Sequence, residues 1–207
     1  MSDPKSTMPV MIYTEQTPNP ESLKYVTNRM LYRGMADFQE RSRSIGEEWS
    51  PLAKALYDLG YVKGVYIANN FITITKSPDI EWLEIMLKLK AMIKEYLESG
   101  NTIIKDGYTA FIQEKRAEQD QAEGYSDEDQ GTVRQIKEIL ETYVKPAVEM
   151  DGGNIIFKGF DDGVVTLEMQ GACSGCPSST MTLKAGIEGM MKRMIPEVKE
   201  VKAVDEA

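Results

Sequence analysis

The sequence contains no histidine among its 207 residues and only two cysteines, Cys173 and Cys176. Zinc sites and iron–sulfur clusters are usually held by four Cys or His ligands. A single copy of this chain therefore lacks the soft ligands to complete either centre. The cysteine pair predicts one of two chemistries: a dithiol that cycles with a disulfide, or a metal centre shared between two copies of the chain.

The sequence also lacks a long apolar run and an excess of positive charge. No stretch approaches the roughly 18 consecutive apolar residues of a membrane-spanning helix. Its 24 Lys and Arg against 33 Asp and Glu give a formal net charge of −9. Because nucleic-acid binding needs a basic face, we expect neither a nucleic-acid nor a membrane partner. Residues 1–9 resemble neither a secretion signal nor a transit peptide, so we expect a cytoplasmic protein.

Three regions of the chain differ in composition. Residues 10–110 alternate strand-like and helix-like patterns, which predicts a small α+β domain. Residues 111–131 are acidic and poor in apolar side chains, so they cannot bury enough surface to order themselves and should form a flexible linker. Residues 132–205 follow the order α-β-β-α-β, which predicts a second compact α+β domain.

The first domain carries clear signals for helices and for a hairpin. A helix is predicted to begin at Pro51, with Ser50 as its N-cap. Residues 62–67 and 71–75 are typical of a β-hairpin, and a longer helix is predicted to begin at Ser77. The predicted apolar face of that longer helix comprises Ile80, Leu83, Leu87, Met92, Ile93 and Leu97. Clustered carboxylates, an activated Ser and a glycine-rich phosphate loop are all missing from this region, so it carries no catalytic pattern.

The second domain is predicted to open with a helix whose capping box is Thr132 and Gln135. Pro146 lies inside the apolar pattern of that helix and should kink it or end its regular part. The remaining predicted elements are strands at 154–160 and 164–170 joined by an Asp-Gly turn, a helix at 177–194, and a strand at 198–204.

The two cysteines lie immediately before the predicted helix that Pro177 opens. Since Pro is favoured at the first helical position, Cys176 should be the N-cap and Cys173 should lie in the loop above the same helix end. The unpaired N–H groups and the positive dipole end of a helix favour anionic sulfur and lower thiol pKa values. We therefore expect both cysteines to be available as thiolates.

Three interpretations of the cysteine pair compete. A thiol-disulfide oxidoreductase would place CxxC at a helix start directly after a strand of a βαβ unit, and the predicted order α-β-β-α-β does not fit that context well. A structural zinc site would need two further ligands from a second chain. A cluster site shared by two copies would bring four thiolates together across a two-fold axis.

Longer motifs surround the cysteines, and two different motifs lie in the first domain. The C-terminal region contains VEMDGG at 148–153 and LEMQGACSGCPSSTMTLK at 167–184. The N-terminal region contains TPNPESLKYV at 17–26 and FITITK at 71–76. The first pair of motifs resembles the C-terminal domain of NifU-like (Nfu) iron–sulfur scaffold proteins, and the second pair is similar to the Nfu N-terminal domain.

This resemblance implies a non-enzymatic carrier of iron–sulfur clusters. It places Cys173 and Cys176 on the family's ligand positions, around a [4Fe–4S] cluster, or a [2Fe–2S] cluster, that bridges a homodimer. The implied partners are an upstream assembly scaffold as donor and apo iron–sulfur proteins as acceptors. The resemblance also associates the N-terminal domain with partner contact. De novo assembly would need further cysteines, so transfer is the implied role. The oxidoreductase and the zinc-bridged dimer remain the alternatives.

Overall fold

The computed structural model describes residues 8–120, 127–174 and 177–204. The chain packs as two compact units. Unit 1 comprises the described residues up to Gln16 together with Leu23–Lys105, and unit 2 comprises Thr17–Ser22 together with the described residues from Asp106 onward. Each unit combines helices with a sheet, so the predicted α+β class is confirmed. The predicted boundaries at 110, 111, 131 and 132 stay predictions.

A five-stranded sheet, in the order β1-β2-β5-β4-β3, forms the centre of unit 1. The strands are β1 (Ile12–Gln16), β2 (Ser22–Thr27), β3 (Tyr32–Phe38), β4 (Val62–Asn69) and β5 (Phe71–Lys76). The pairs β1–β2, β3–β4 and β4–β5 are antiparallel. The predicted hairpin is β4–β5, and its turn residue Asn69 has a φ of 46°, a left-handed conformation that Asn tolerates.

Three α-helices belong to the described part of unit 1. They are α1 (Arg43–Trp49), which follows a 3₁₀ turn at Glu40–Ser42, α2 (Pro51–Tyr57) and α3 (Trp82–Glu98). The predicted cap of α2 is present, because the Ala53 N–H donates to Ser50 Oγ at 3.0 Å. The predicted start of α3 at Ser77 is wrong. Residues 77–80 instead form a turn in which the Ile80 N–H donates to the Ser77 carbonyl at 3.3 Å.

The predicted apolar face of α3 is partly wrong as well. Leu83 and Leu87 are exposed, at 90% and 67% of their surface. The buried residues of the helix are Ile85, Leu89, Ile93 and Leu97. The exposed pair and the four buried residues each have the four-residue spacing of a single helix face, so spacing alone did not show which of them is buried. The set with four members is the one that packs into unit 1.

Unit 2 contains four helices and three strands within its described part. They are α4 (Tyr108–Asp120), α5 (Asp127–Ile139), α6 (Lys145–Met150), β6 (Gly153–Asp161), β7 (Val164–Gly171), α7 (Pro177–Met194) and β8 (Glu200–Val204). A π-helical turn at Leu140–Val144 separates α5 from α6. It ends two residues before Pro146, which was predicted to kink the helix or end its regular part. No helix within these ranges, or within those described in unit 1, is both long and apolar enough to cross a membrane.

The acidic segment predicted as a linker is helical where the structure describes it. Helix α4 extends to Asp120, α5 begins at Asp127, and residues 121–126 lie outside the described residues. Helix α5 therefore starts before Thr132, and the predicted capping box is not its N-terminus. Glu, Gln and Lys have high helix propensity, so a composition that cannot form a core can still form a solvated helix.

The sheet of unit 2 has the order β6-β7-β8. Strands β6 and β7 form the predicted antiparallel hairpin, and its turn residues Asp162 and Gly163 have φ values of 42° and 80°. Strand β8 pairs parallel with β7, so β7, α7 and β8 form a βαβ unit. The apolar core lies between this sheet and the helices, and includes Ile136, Leu140, Val148, Ile155, Leu167, Met191 and Val201.

Candidate functional site

We call residues 171–176, which connect β7 to α7, the cysteine loop. Helix α7 begins at Pro177, as predicted. Cys173 is described, whereas Cys176 and the preceding Gly175 lie outside the described residues. The prediction that Cys173 and Cys176 act together therefore stays a prediction as far as their mutual geometry is concerned.

Backbone hydrogen bonds hold the first half of the cysteine loop. Gly171 has a φ of 62°, and its carbonyl accepts the Ser174 N–H at 3.1 Å, which closes a tight turn. The Ala172 N–H donates to the carbonyl of Gly152 at 3.2 Å. Gly152 connects α6 to β6 and has a φ of 81°. The cysteine loop thus forms hydrogen bonds both within itself and to the residue that precedes β6.

The Cys173 side chain is buried, with 7% of the residue exposed, and belongs to the apolar core of unit 2. Gly153 lies directly beside it, since a Cβ on Gly153 would lie 2.7 Å from Cys173 Sγ. The same Cβ would lie 2.7 Å from the Gln170 carbonyl oxygen. Only glycine leaves room for the sulfur here. Cys173 was predicted to lie above a helix end, and no local pattern in the sequence indicated this burial.

A row of buried polar side chains crosses the β6–β7 pair that carries the cysteine loop. Asn154 Nδ2 donates to Gln170 Oε1 at 2.9 Å, and Gln170 Nε2 donates to Glu168 Oε1 at 2.8 Å. The Lys158 ammonium lies 3.3 Å from Glu168 Oε2, so the buried carboxylate is paired. These residues alternate along the strands with core residues such as Ile155. The row was not predicted from the sequence, although polar residues at every second position of β7 were a signal for it.

A segment distant in sequence also reaches the cysteine loop. We call Thr17–Ser22, which is part of unit 2, the Asn19 turn. Asn19 has only 2% of its surface exposed, and its Nδ2 lies 3.4 Å from the Ser174 carbonyl oxygen, to which it donates. The sequence indicated this segment only as part of the motif at 17–26, and no local pattern predicted a contact with the cysteines.

The chemistry open to the site follows from its ligand atoms. Within the described ranges, no group of three or more Cys, Asp or Glu side chains is arranged to hold a metal ion. One copy of the chain offers two thiolates, because Cys173 and Cys176 are its only cysteines. A site that completes a four-coordinate soft metal therefore needs ligands from outside this copy.

Comparison with protein families identifies both parts of the chain. The model of the NifU-like domain matches residues 136–202, which contain the cysteine loop. The model of the scaffold protein Nfu/NifU N terminal matches residues 12–100. The fold and the cysteine loop thus define a protein that combines an Nfu N-terminal region with a NifU-like domain.

Two relatives agree with this result, one from Arabidopsis thaliana and one from human. NifU-like protein 4 from Arabidopsis thaliana is 41% identical over 93% of this chain and 65% of its own length. The human protein described as an NFU1 iron–sulfur cluster scaffold homolog is 37% identical over 94% of this chain and 72% of its own length. A solution structure described as a NifU-like protein from Saccharomyces cerevisiae is 22% identical, covers 51% of this chain and 93% of its own, and has a TM-score of 0.44.

This chain belongs to the NifU-like (Nfu) family, as the resemblance of its motifs indicated. It spans 65% of the length of the Arabidopsis relative and 66% of a Drosophila sechellia relative. The expectation of a cytoplasmic protein is wrong, because both the Arabidopsis and the human relatives are named as mitochondrial. That expectation rested on the composition of residues 1–9, and such a short polar stretch carries no information about the compartment.

Proposed function

We propose that this chain carries an iron–sulfur cluster and delivers it to apo proteins, without catalysing a reaction of its own. The observation that carries the proposal is the cysteine loop between β7 and α7, in a chain with no other cysteine and no histidine. Membership of a family whose human member is described as an iron–sulfur cluster scaffold supports it. The donor would be an upstream assembly scaffold, and the acceptors would be apo iron–sulfur proteins.

The number of ligands favours a cluster shared by two copies. A [4Fe–4S] cubane takes four thiolates, and Cys173 and Cys176 of two chains supply four. Two-fold symmetry is the commonest symmetry of a homodimer. It would place the cysteine loops of the two copies next to each other across the axis. A [2Fe–2S] cluster also takes four thiolates, so the ligand count alone does not select the cubane, and iron analysis distinguishes the two.

Delivery is a ligand exchange. Each client thiolate forms an Fe–S bond while one bond to Cys173 or Cys176 breaks. Client thiols release their protons to solvent as they bind, and the vacated carrier cysteines take up protons. Iron and sulfide keep their oxidation states, so no external oxidant or reductant is required. A site with only two ligands per chain suits this exchange, because each copy has few bonds to give up.

Anaerobic reconstitution with iron and sulfide tests the proposal. We expect about four irons per two chains, a cubane Mössbauer spectrum and twice the chain mass. Cys173→Ala or Cys176→Ala should abolish iron binding while circular dichroism shows a retained fold. A Cys→Ala variant that keeps a full cluster would disprove the ligand assignment. Colourless protein with about half a zinc per chain would instead indicate a zinc-bridged dimer.

One observation favours thiol-disulfide exchange as a second candidate function. The β7–α7–β8 unit places CxxC between a strand and a helix of a βαβ unit, which is the context of thioredoxin-like motifs. The expectation that the element order disfavours this chemistry is therefore weakened. Against it stands the burial of Cys173, since reactive cysteines are partly exposed. Multiple turnovers of insulin reduction by cluster-free protein, with dithiothreitol as the electron donor that regenerates the dithiol, would support this second function, and no acceleration over dithiothreitol alone would exclude it.

A further inference from the structure

The Asn19 turn is organised by its own hydrogen bonds. The Asn19 carbonyl accepts the Ser22 N–H at 3.0 Å and the Thr17 hydroxyl at 2.9 Å. Asn19 Oδ1 accepts the Glu21 N–H at 2.9 Å, which is an Asx turn. Pro18 and Pro20 flank Asn19 and restrict the backbone further. The turn is therefore preorganised, and its conformation leaves Asn19 Nδ2 available to donate elsewhere.

The remaining donor of Asn19 points to the cysteine loop. Asn19 Nδ2 donates to the Ser174 carbonyl at 3.4 Å, and both residues are buried, with 2% and 8% of their surface exposed. Cys173, the residue before Ser174, is 7% exposed. The residues of this contact are 155 positions apart in sequence. A buried amide whose acceptor is a loop carbonyl contributes both a hydrogen bond and the exclusion of water from that loop.

We infer that the Asn19 turn covers Cys173 and Ser174, in the described half of the cysteine loop, and that Asn19 anchors this cover, so that release of the contact controls access to Cys173. The inference rests on the proposed function for its purpose, because a cysteine of which 7% is exposed must become more accessible before its sulfur can bind a cluster shared with a second copy. Opening of the turn and the loop precedes cluster binding. Asn19 is on this account a positioning residue, which acts through the Ser174 backbone and not on the cluster.

Two substitutions distinguish the hydrogen bond from Asn19 Nδ2 to Ser174 from the hydrogen bond that Asn19 Oδ1 accepts within the turn. Asn19→Asp keeps an oxygen that can accept the Glu21 N–H, but it replaces the Nδ2 donor with an acceptor that faces the Ser174 carbonyl. Asn19→Ala removes both contacts. The matched control is Asn28→Ala in unit 1. Asn28 Oδ1 accepts the Met11 N–H at 3.0 Å and its Nδ2 donates to the Pro9 carbonyl at 3.1 Å, and both of these contacts lie within unit 1.

The first measurement is the rate at which iodoacetamide alkylates Cys173, in the full chain carrying Cys176→Ser so that Cys173 is the only thiol. We expect Asn19→Asp and Asn19→Ala to raise the rate roughly three- to tenfold, the factor that one neutral hydrogen bond contributes to an opening equilibrium. Asn28→Ala should leave it unchanged. Equal rates in wild type and both Asn19 variants would overturn the inference, and so would an equal rise in Asn28→Ala.

The second measurement follows iron uptake in chains that keep both cysteines. Faster uptake by Asn19→Asp, with the same final iron content as wild type, is expected if the turn gates the site. If no variant binds iron but the alkylation rates still differ, the proposed function fails and the gating of Cys173 stands. If iron binds equally fast in all variants and the alkylation rates agree, the gate is absent and the carrier function stands.

Discussion

At the scale of single residues, the candidate site depends on Gly153 as much as on the cysteines. The Cys173 sulfur occupies the volume that a side chain at position 153 would fill, and the Gln170 carbonyl borders the same space. Both neighbours are held in place, the carbonyl by the β6–β7 ladder and the sulfur by the core around it. The absence of a side chain at position 153 is thus a condition for the position of Cys173.

We expect Gly153→Ala to destabilise unit 2 by about 1–3 kcal/mol, because the added methyl must displace backbone or sulfur in a packed core. Iron uptake after reconstitution should fall in the same variant. The measurements are denaturant unfolding and iron analysis. Gly131→Ala is the control, since nothing lies within 4 Å of a Cβ there and α5 should gain about 0.5–1 kcal/mol. A Gly153→Ala variant with wild-type stability and iron content would contradict this account.

At the scale of helices and strands, local signals were predictable and long-range contacts were not. Ser50 and Pro51 identified the start of α2, and Asp162-Gly163 identified the β6–β7 turn, because each acts on its own backbone. The start and face of α3 were missed, since they depend on which leucines meet the sheet. The burial of Cys173 and its cover by Asn19 depend on residues far apart in sequence, and no local pattern encodes them.

The face of α3 provides a direct test. Leu89 is fully buried, so Leu89→Ala should cost about 2–5 kcal/mol through lost contacts and a cavity. Leu87 is 67% exposed on the same helix, so Leu87→Ala should change stability by no more than about 0.5 kcal/mol. Both changes remove the same atoms, and denaturant unfolding of the full chain compares them. Equal costs would mean that α3 packs through a different face.

The carboxylate of Glu188 connects helix α7 to strand β8, and its ionisation contributes to the stability of the fold. The Lys192 ammonium and the Val201 N–H donate to Glu188 at 2.6 and 3.0 Å, and they hold the pKa of the Glu188 carboxyl below its ordinary value of 4.5. The folded state therefore favours the ionised form. This contribution to stability is present above the ordinary pKa and is lost as the pH falls through the lowered one.

Glu188→Gln should accordingly be less stable than the wild type at about pH 7, and the difference should shrink at an acid pH below the lowered pKa of Glu188, where the wild-type carboxyl becomes protonated. Denaturant unfolding at the two pH values provides the comparison. Glu141→Gln serves as a control, because Glu141 pairs with Lys145 within one helical segment and does not connect α7 to β8. A difference for Glu188→Gln that stays constant with pH would show that replacement of the carboxylate acts through packing and not through charge.

At the scale of the whole molecule, charge opposes the proposed dimer. Each chain carries a formal net charge of −9, so two copies that share a cluster repel one another. Salt screens such repulsion over a distance of about 10 Å at 0.1 M ionic strength.

We therefore expect the cluster-bridged dimer to dissociate less at about 0.3 M than at about 0.02 M salt, as measured by sedimentation of the reconstituted protein under anaerobic conditions. Apo protein at the same salt concentrations is the control for cluster-independent association. A dimer that weakens as salt rises would contradict this prediction and would indicate that ion pairs between the copies, and not the shared thiolates, hold them together.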